Sequence, residues 1–160
     1  MEFVLEPVYR EWIIKTVVGG QSWGAKIDSG SPLTIVGSRV LKSFGVELKS
    51  AIEYPYIEYE GVTGDIGKAF QVPIPNFMLG VQTFGELTVY VPFIVKEGKA
   101  TLVNLNKFLV GTDFLSRYNL SMTHSKKLLG IERLLGFEEH GIELPKVVAT
   151  AKPFVGEVGF

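Results

Sequence analysis

The 160-residue sequence contains no cysteine and only two histidines, His124 and His140. Without cysteine the chain has no disulfide bond, no thiolate nucleophile and no cysteine-ligated metal site. The two histidines are not at the spacing of a metal-binding pair; we interpret His124 as a strand or turn residue and His140 as a solvated one. The sequence therefore offers no metal site built on these residue types.

A strong excess of charge and a long apolar run are also missing. The net charge is −1 and basic residues do not cluster, which argues against nucleic acid as a partner. No apolar run approaches the roughly 20 residues that cross a bilayer. The acidic start Met1-Glu2 is unlike the basic start of a secretory signal. We expect a cytoplasmic protein that binds neither nucleic acid nor a membrane.

The residues that are present favour a β-rich protein with one main domain. Hydrophobic residues make up 46% and charged residues 21% of the chain, which is ordinary for a globular protein. Eighteen glycines and eight prolines, with abundant valine, isoleucine, phenylalanine and tyrosine, favour short strands joined by turns. A chain of this length is long enough to bury a substantial core.

Hydrophobic alternation and turn residues predict two hairpins. The first spans residues 11–28 with a turn at 19–22, and the second spans residues 54–74 with a glycine-containing tip at 60–64. A helix is predicted at Ser38–Phe44, with Ser38 as its N-cap. The remaining predicted elements are strands at 77–81, 87–95 and 108–113, a short helix at 114–118, and a strand pair within 121–131 that turns around 125–127.

One short segment has the residue types that catalysis needs. Asp28 ends the second predicted strand and is followed at once by Ser29, Gly30 and Ser31. Backbone N–H groups and hydroxyls can hold such a carboxylate ionised and facing a cleft. The chain has one such segment, so a catalytic carboxylate pair would need a second copy of the chain. The alternative is a turn aspartate that caps its own loop.

A second motif resembles a serine nucleophile but lacks the context for it. Gly20-Gln21-Ser22-Trp23-Gly24 matches the Gly-x-Ser-x-Gly elbow of α/β hydrolases, which lies between a strand and a following helix. Here the next residues, 25–30, are predicted to be strand and loop. We therefore interpret Ser22 as a hairpin-turn residue.

Four segments in this order resemble the retropepsin-like, or retroviral-type, aspartic protease family. Ala25-Lys26-Ile27-Asp28-Ser29-Gly30-Ser31 resembles its catalytic strand and loop, and 38–45 resembles the helix that follows. The hairpin tip at 61–64 lies where the family has its flap. The run 108–115 resembles the apolar-apolar-Gly-x-Asp motif in the form common in retrotransposon-type members. The resemblance covers about residues 12–131.

The resemblance implies an all-β fold: a single-lobe closed barrel of short strands with a flap hairpin and one or two short helices. It implies an aspartic endopeptidase that works as a homodimer without a cofactor. Asp28 and its symmetry mate would share one proton and activate a water. Activity would then peak at acidic to mildly acidic pH, and the substrate would be an extended peptide bound by β-augmentation.

The resemblance also assigns roles around Asp28. Ser29 would form a hydrogen bond across the dimer beneath the two aspartates, and Gly30 would let the backbone approach the carboxylate closely. Ser31 either donates to a carboxylate oxygen or is simply solvated. Gly111 and Asp113 would support the active-site floor and the helix start, and we favour a structural role for Asp113.

The flap is predicted from Gly61, Val62, Thr63 and Gly64, which would form a mobile lid over the peptide. A glycine-bearing turn without a function is the alternative interpretation. The apolar residues Ile35, Val62 and Ile66 are the candidates that would favour hydrophobic side chains beside the cleaved bond.

One domain boundary and two rival functions complete the predictions. Residues 1–136 are assigned to the protease-like domain and residues 137–160 to a C-terminal extension, either an interface arm or a tail. The first rival is a catalytically inactive protein of the same fold that binds peptides or serves as a dimerisation module. The second is an unrelated small β-barrel binding protein in which Asp28 is incidental.

Overall fold

The computed structural model describes residues 1–7, 10–48, 54–61, 63–128, 130–141 and 151–159. Within these residues most of the chain is β-strand and only two short helices occur, so the predicted all-β class is confirmed. No helix of the described residues is both long and apolar enough to cross a membrane.

The elements follow one another along the described residues. The first half contains β1 (Glu2–Val4), β2 (Ile13–Val18), β3 (Gln21–Ile27), β4 (Ile35–Val36), α1 (Ser38–Ser43), β5 (Pro55–Glu60), β6 (Ile66–Ile74), β7 (Met78–Leu79) and β8 (Gln82–Thr83). The second half contains β9 (Leu87–Lys96), β10 (Lys99–Leu102), β11 (Phe108–Val110), α2 (Thr112–Leu115), β12 (Tyr118–Lys127), β13 (Gly130–Glu139), β14 (Lys152–Pro153) and β15 (Val158–Gly159).

The main sheet contains ten strands. Eight of them lie in the order β14-β5-β6-β9-β4-β11-β3-β2, and β10 pairs with both β9 and β15. Among the described residues the outer strands β14 and β2 are not hydrogen-bonded to each other, so backbone pairing does not close this sheet. A three-stranded sheet in the order β1-β13-β12 and the small hairpin β7-β8 complete the β-structure.

The first hairpin forms as predicted, with a tighter turn. β2 and β3 pair from Ile13 with Lys26 to Val18 with Gln21, and Gly19 and Gly20 form the turn with φ of 56° and 77°. Both φ values are positive, which suits glycine. Ser22 is therefore a residue of β3 rather than of the turn, and no helix follows it directly. This arrangement excludes a nucleophile elbow at Ser22.

Both helices are found; α1 begins at Ser38 as predicted but has a different N-cap, and α2 is shifted to Thr112–Leu115. The N-cap of α1 is Gly37 rather than Ser38. A Cβ at Gly37 would overlap the backbone oxygens of Asn104 and Leu105, so this close approach requires glycine where the helix begins. The helix α2 begins at Thr112 instead of Phe114, because the backbone oxygen of its N-cap Gly111 accepts the N–H groups of Phe114 and Leu115.

Two strand predictions need correction. The predicted strand 77–81 is a tight hairpin, since Gly80 has a φ of 62° and its backbone N–H donates to the buried Thr16 hydroxyl at 3.0 Å. The turn predicted at 125–127 lies later, because β12 continues to Lys127 and β13 begins at Gly130.

The C-terminal residues 151–159 add two strands to the main sheet. β14 pairs with β5, and β15 pairs in parallel with β10. The strand β13 runs through the predicted boundary at residue 136 to Glu139. Residues 142–150 and residue 160 of the predicted extension lie outside the described residues.

Aromatic packing makes up much of the core that holds the site strands. Phe114 of α2 lies with its ring centroid 5.1 Å from that of Phe77 and 5.0 Å from that of Phe84. Ala25 and Ile27 of β3 belong to the same buried cluster. The strand that precedes Asp28 is therefore fixed by the core on one side and by its two neighbouring strands.

Candidate active site

Asp28 is the first residue after β3. β11 lies beside β3 in parallel, with Val110 opposite Ile27. The backbone N–H of Asp28 continues this pairing, because it donates to the Val110 oxygen at 2.9 Å. The pairing of β3 with β11 thus sets the position of the aspartate backbone.

The loop after Asp28 folds back on its carboxylate. The Gly30 N–H donates to Oδ1 of Asp28 at 2.9 Å, and the Ser31 N–H donates to the Asp28 backbone oxygen at 3.2 Å. A Cβ on Gly30 would lie 3.2 Å from the same Oδ1, so glycine keeps this approach open. Asp28 is half-buried, whereas Ser29 and Gly30 are exposed. A molecule docking from outside can therefore reach the carboxylate.

Ser31 serves the loop rather than the carboxylate. Its hydroxyl donates to the Leu33 backbone oxygen at 2.8 Å, and its backbone oxygen accepts the Thr112 N–H at 2.8 Å. The second of these bonds joins the Asp28 loop to the start of α2. The Ser31 hydroxyl therefore neither donates to the Asp28 carboxylate nor is simply solvated, the two roles considered for it from the sequence.

Asp113 is bonded through both carboxylate oxygens. Thr34 donates to it twice, from its hydroxyl to Oδ1 at 2.6 Å and from its N–H to Oδ2 at 3.0 Å. The Phe114 N–H donates to Oδ1 at 2.9 Å. Asp113 therefore lies at the helix start and ties α2 to the loop that follows Asp28.

Burial raises the pKa of the Asp113 carboxyl above its ordinary value. The hydrogen bonds from Thr34 and Phe114 and the positive charge of Arg117 act in the opposite direction, because they favour the ionised form. Partial burial thus disfavours the ionised form of this carboxyl, and the hydrogen-bond donors around it act against that effect.

Gly111 allows the segment between β11 and α2 to lie against the loop that follows Asp28. A Cβ at this position would overlap the backbone oxygens of Leu33 and Ser31. The Gly111 N–H donates to the Thr34 hydroxyl at 3.1 Å. Glycine is needed here for the close approach and not for an unusual φ, since its φ is −102°.

Thr34 is the site residue that the sequence analysis missed. It is fully buried, and its hydroxyl donates to Asp113 and accepts from Gly111. The only sequence signal is a hydroxyl residue inside the apolar run 33–36, a pattern that equally fits an ordinary strand residue. Its partners lie 79 and 77 residues away in the chain.

The predicted flap region is the tip of the β5–β6 hairpin. Glu60 pairs with Ile66, the Gly61 N–H donates to the Asp65 oxygen at 2.7 Å, and the Gly64 N–H donates to the Gly61 oxygen at 3.0 Å. Gly64 has a φ of 83°, in the left-handed region that favours glycine. The exposed Thr63 hydroxyl donates to the Asp65 carboxylate at 2.9 Å. Val62 lies outside the described residues.

A small apolar cluster joins this hairpin to the Asp28 loop. Ile57 and Ala69 of the hairpin pack there with Leu33 and Ile35, which follow Asp28, and with Tyr90 of β9. Ile35 is therefore a buried residue of this cluster, whereas Ile66 is 71% exposed. The base of the hairpin is thus packed against the segment that carries Asp28.

The structure brings part of the predicted site together. Ser31 bonds the Asp28 loop to Thr112 at the start of α2, and Thr34 bonds Gly111 to Asp113, so two neighbouring sets of hydrogen bonds hold these residues. No hydrogen bond joins the described tip residues 61, 63 and 64 to Asp28. Among the described residues, no three metal-ligating side chains come close enough to hold a metal ion.

Comparison with known proteins gives one structural likeness of interest. No family model and no curated protein matches the sequence. The structure is similar to the crystal structure of a retropepsin-like aspartic protease from Rickettsia conorii, with a TM-score of 0.50 and 15% sequence identity. The match covers 83% of this chain and 98% of that chain. At this identity the likeness shows the fold, and the chain therefore has a retropepsin-like fold.

Proposed function

We propose that this chain is an aspartic endopeptidase, active as a homodimer in which Asp28 and Asp28 of a second copy form the catalytic pair. The observation that carries the proposal is the Asp28 loop. A half-buried carboxylate follows a fixed strand, accepts the Gly30 N–H at 2.9 Å and has exposed neighbours, in a chain with a retropepsin-like fold. The run 108–115 favours the retrotransposon-type variant of that fold.

The reaction needs two carboxylates that face each other. At about 3 Å apart they cannot both ionise, so they share one proton. The ionised carboxylate takes a proton from a water, the water oxygen attacks the peptide carbonyl carbon, and the protonated carboxyl donates to the carbonyl oxygen. The carboxyl that took the water proton then donates it to the leaving nitrogen as the C–N bond breaks, and one hydroxyl of the tetrahedral intermediate returns a proton to the other carboxylate. No cofactor takes part in these steps.

Ser29, Gly111, Asp113 and Thr34 are proposed to position this pair without touching the substrate. Ser29 is exposed beside Asp28, where a second copy can reach it. Asp113, Gly111 and Thr34 form the hydrogen-bonded support beneath the loop. A positioning role for Asp113 agrees with the use of both its oxygens in hydrogen bonds.

The substrate is proposed to be an extended peptide held between the Asp28 loops and the tips of two β5–β6 hairpins. The tip residues 61–64 would close over the peptide and exclude water from the dyad. The apolar Ile66 is exposed next to this tip and favours a hydrophobic side chain near the cleaved bond. A peptide in extended conformation can add to the hairpin as a further strand.

Peptide cleavage between about pH 4 and 7 tests the proposal. We expect wild-type protein to cleave peptides with hydrophobic residues at the scissile bond, and Asp28→Asn to lose activity by about a thousand-fold or more. The matched control is Glu86→Gln, which neutralises an exposed carboxylate. Activity that survives Asp28→Asn would rule out the proposed pair. A dimer that binds these peptides and cleaves none would establish the inactive peptide-binding or dimerisation module instead.

A further inference from the structure

The C-terminal residues 151–159 lie on the surface of the main sheet as an extended segment with two buried side chains. Phe154 is 9% exposed and Val158 is 2% exposed. The intervening residues 155–157 and the preceding residues 151–153 are exposed. Both buried side chains belong to the main hydrophobic cluster, so the segment is attached to the core at two positions four residues apart, in the manner of an extended peptide on a sheet.

Phe154 occupies an aromatic site built by three strands. Its ring centroid lies 6.1 Å from that of Tyr56 on β5, 5.6 Å from that of Phe70 on β6 and 5.4 Å from that of Phe93 on β9. All three contacts are edge-on, the favourable arrangement for aromatic rings. This side chain therefore bridges the β5–β6 hairpin and the centre of the sheet.

The second anchor fixes the segment to β10. Val158 pairs in parallel with Ala100, and the Ala100 N–H donates to the Glu157 oxygen at 2.9 Å. The backbone of Gly159 lies under the Lys99 stem, where a Cβ would overlap the Lys99 side chain. The far end of the segment is thus held by β10, which lies on the opposite side of β9 from the β5–β6 hairpin.

The backbone contact with the hairpin is weak by comparison. β14 and β5 share only two residue pairs, and one of them joins Pro153 to Pro55, neither of which has an N–H to donate. The Phe154 N–H reaches the Tyr54 oxygen at a long 3.4 Å, and Lys152 lies 3.8 Å from the Glu58 carboxylate in an exposed ion pair. The attachment of the segment to β5 therefore depends on the Phe154 ring.

Together these contacts clamp the outer strand of the hairpin. Among the described residues β5 pairs with β6 on one side and with β14 on the other. When β14 leaves, β5 becomes an edge strand whose backbone pairs with β6 alone, although Ile57 still packs against Leu33 and Ile35, and the aromatic site beneath Phe154 opens. The strand that becomes loose leads directly to the tip at 61–64.

We propose that residues 151–159 are a detachable clamp, an intramolecular ligand of the groove formed by β5, β6, β9 and β10, whose release loosens the β5–β6 hairpin. The consequence for substrate entry rests on the proposed function, because only there is the hairpin a flap. The clamp itself is a property of the fold and is measurable in a protein without protease activity.

Amide hydrogen exchange of full-length variants tests the clamp. Phe154→Ala should raise exchange in β5 and in residues 66–70 by about ten-fold or more, while exchange in β2 and β3 changes less than about two-fold. Val155→Ala is the matched control, since Val155 is 79% exposed and should leave both regions unchanged. An equal rise in all strands would show that Phe154 is an ordinary core residue, and no rise in the hairpin would equally overturn the clamp.

A free peptide distinguishes a detachable ligand from a fixed strand. A synthetic peptide of residues 151–160, added to the Phe154→Ala protein, should restore slow exchange in β5 and residues 66–70. The same peptide carrying Phe154→Ala should not. Failure of the wild-type peptide to restore protection would contradict an exchangeable ligand, whether or not the protein cleaves peptides.

Discussion

At the scale of single residues, one hydroxyl connects the two loops of the candidate site. Thr34 is fully buried, donates to Asp113 at 2.6 Å and accepts from Gly111 at 3.1 Å. A hydroxyl is suited to this place because it is both a donor and an acceptor. A buried carboxylate oxygen and a buried N–H depend on the same atom.

Replacing Thr34 tests this connection. Thr34→Val keeps the shape and removes both hydrogen bonds, so the free energy of unfolding should fall by about 2–3 kcal/mol. Thr34→Ser keeps the hydroxyl and should lose about 1 kcal/mol or less, from the missing methyl group. Urea unfolding of the two variants provides the comparison. A valine variant as stable as the wild-type protein would show that the hydroxyl contributes nothing.

Asp113 makes stability depend on pH in a defined direction. Burial raises its pKa in the folded state above the ordinary value of 3.8, so the folded protein holds this proton more tightly than the unfolded chain. The resulting stabilisation is fully present below about pH 3.8 and is lost as the pH rises through the folded-state pKa.

The difference in unfolding free energy between wild type and Asp113→Asn should therefore decrease as the pH rises above 3.8, and then level off. Asp65→Asn, which changes an exposed aspartate, is the control for the same chemical substitution. A difference that increases over this range, or one that does not depend on pH, would contradict a raised pKa.

The sequence identifies Asp28 and not Thr34 for a physical reason. Asp28 lies in a local pattern of strand, hydroxyl residue and glycine, and its bond to Gly30 spans two residues. The partners of Thr34 depend on β4 lying beside β11, a pairing across about half of the chain. Propensity and periodicity do not contain that register.

At the scale of elements, glycine is needed at position 111 because two segments approach closely there, and not because of its own backbone conformation. Gly111→Ala would drive a Cβ into the backbone oxygens of Leu33 and Ser31, and backbone moves less easily than side chains. We expect a loss of about 3 kcal/mol or more in unfolding free energy, or failure to fold. Thermal unfolding measures it.

Gly61→Ala is the matched control for that substitution. Its Cβ would meet only the Asp65 oxygen, at an ordinary 3.6 Å, so stability should change by less than about 0.5 kcal/mol. If both variants lost the same stability, the account of the loop contact at Gly111 would be wrong.

The hairpins were predictable because their sequence signals are local. The corrected elements were not predictable, because they depend on contacts between residues that are distant in sequence. Gly19 and Gly20 indicate the first turn, and the alternation of residue types along β2 matches the alternation of buried and exposed positions. Gly80 instead turns the chain through a contact with Thr16, which is distant in sequence. The use of Gly37 as the N-cap of α1 likewise follows from the approach of residues 104 and 105.

At the scale of the whole molecule, the fold and the single carboxylate loop support each other. The sequence predicted the all-β class and a retropepsin-like fold, and the structure has that fold. The sequence does not predict that residues 151–159 add two strands to the main sheet. β14 and β15 contain two residues each, and their pairing depends on strands that are already assembled. The division of the chain at residue 136 stays a prediction.

Mixing two forms of the chain tests the central claim, that two copies each supply one Asp28. Increasing amounts of Asp28→Asn are added to a fixed amount of wild type, at concentrations where dimers form and exchange, and peptide cleavage is followed. Random pairing leaves about half of the activity at equal amounts and about a tenth at a nine-fold excess, because mixed dimers hold one carboxylate of the pair. Cleavage that is unaffected by the added variant would contradict a shared site.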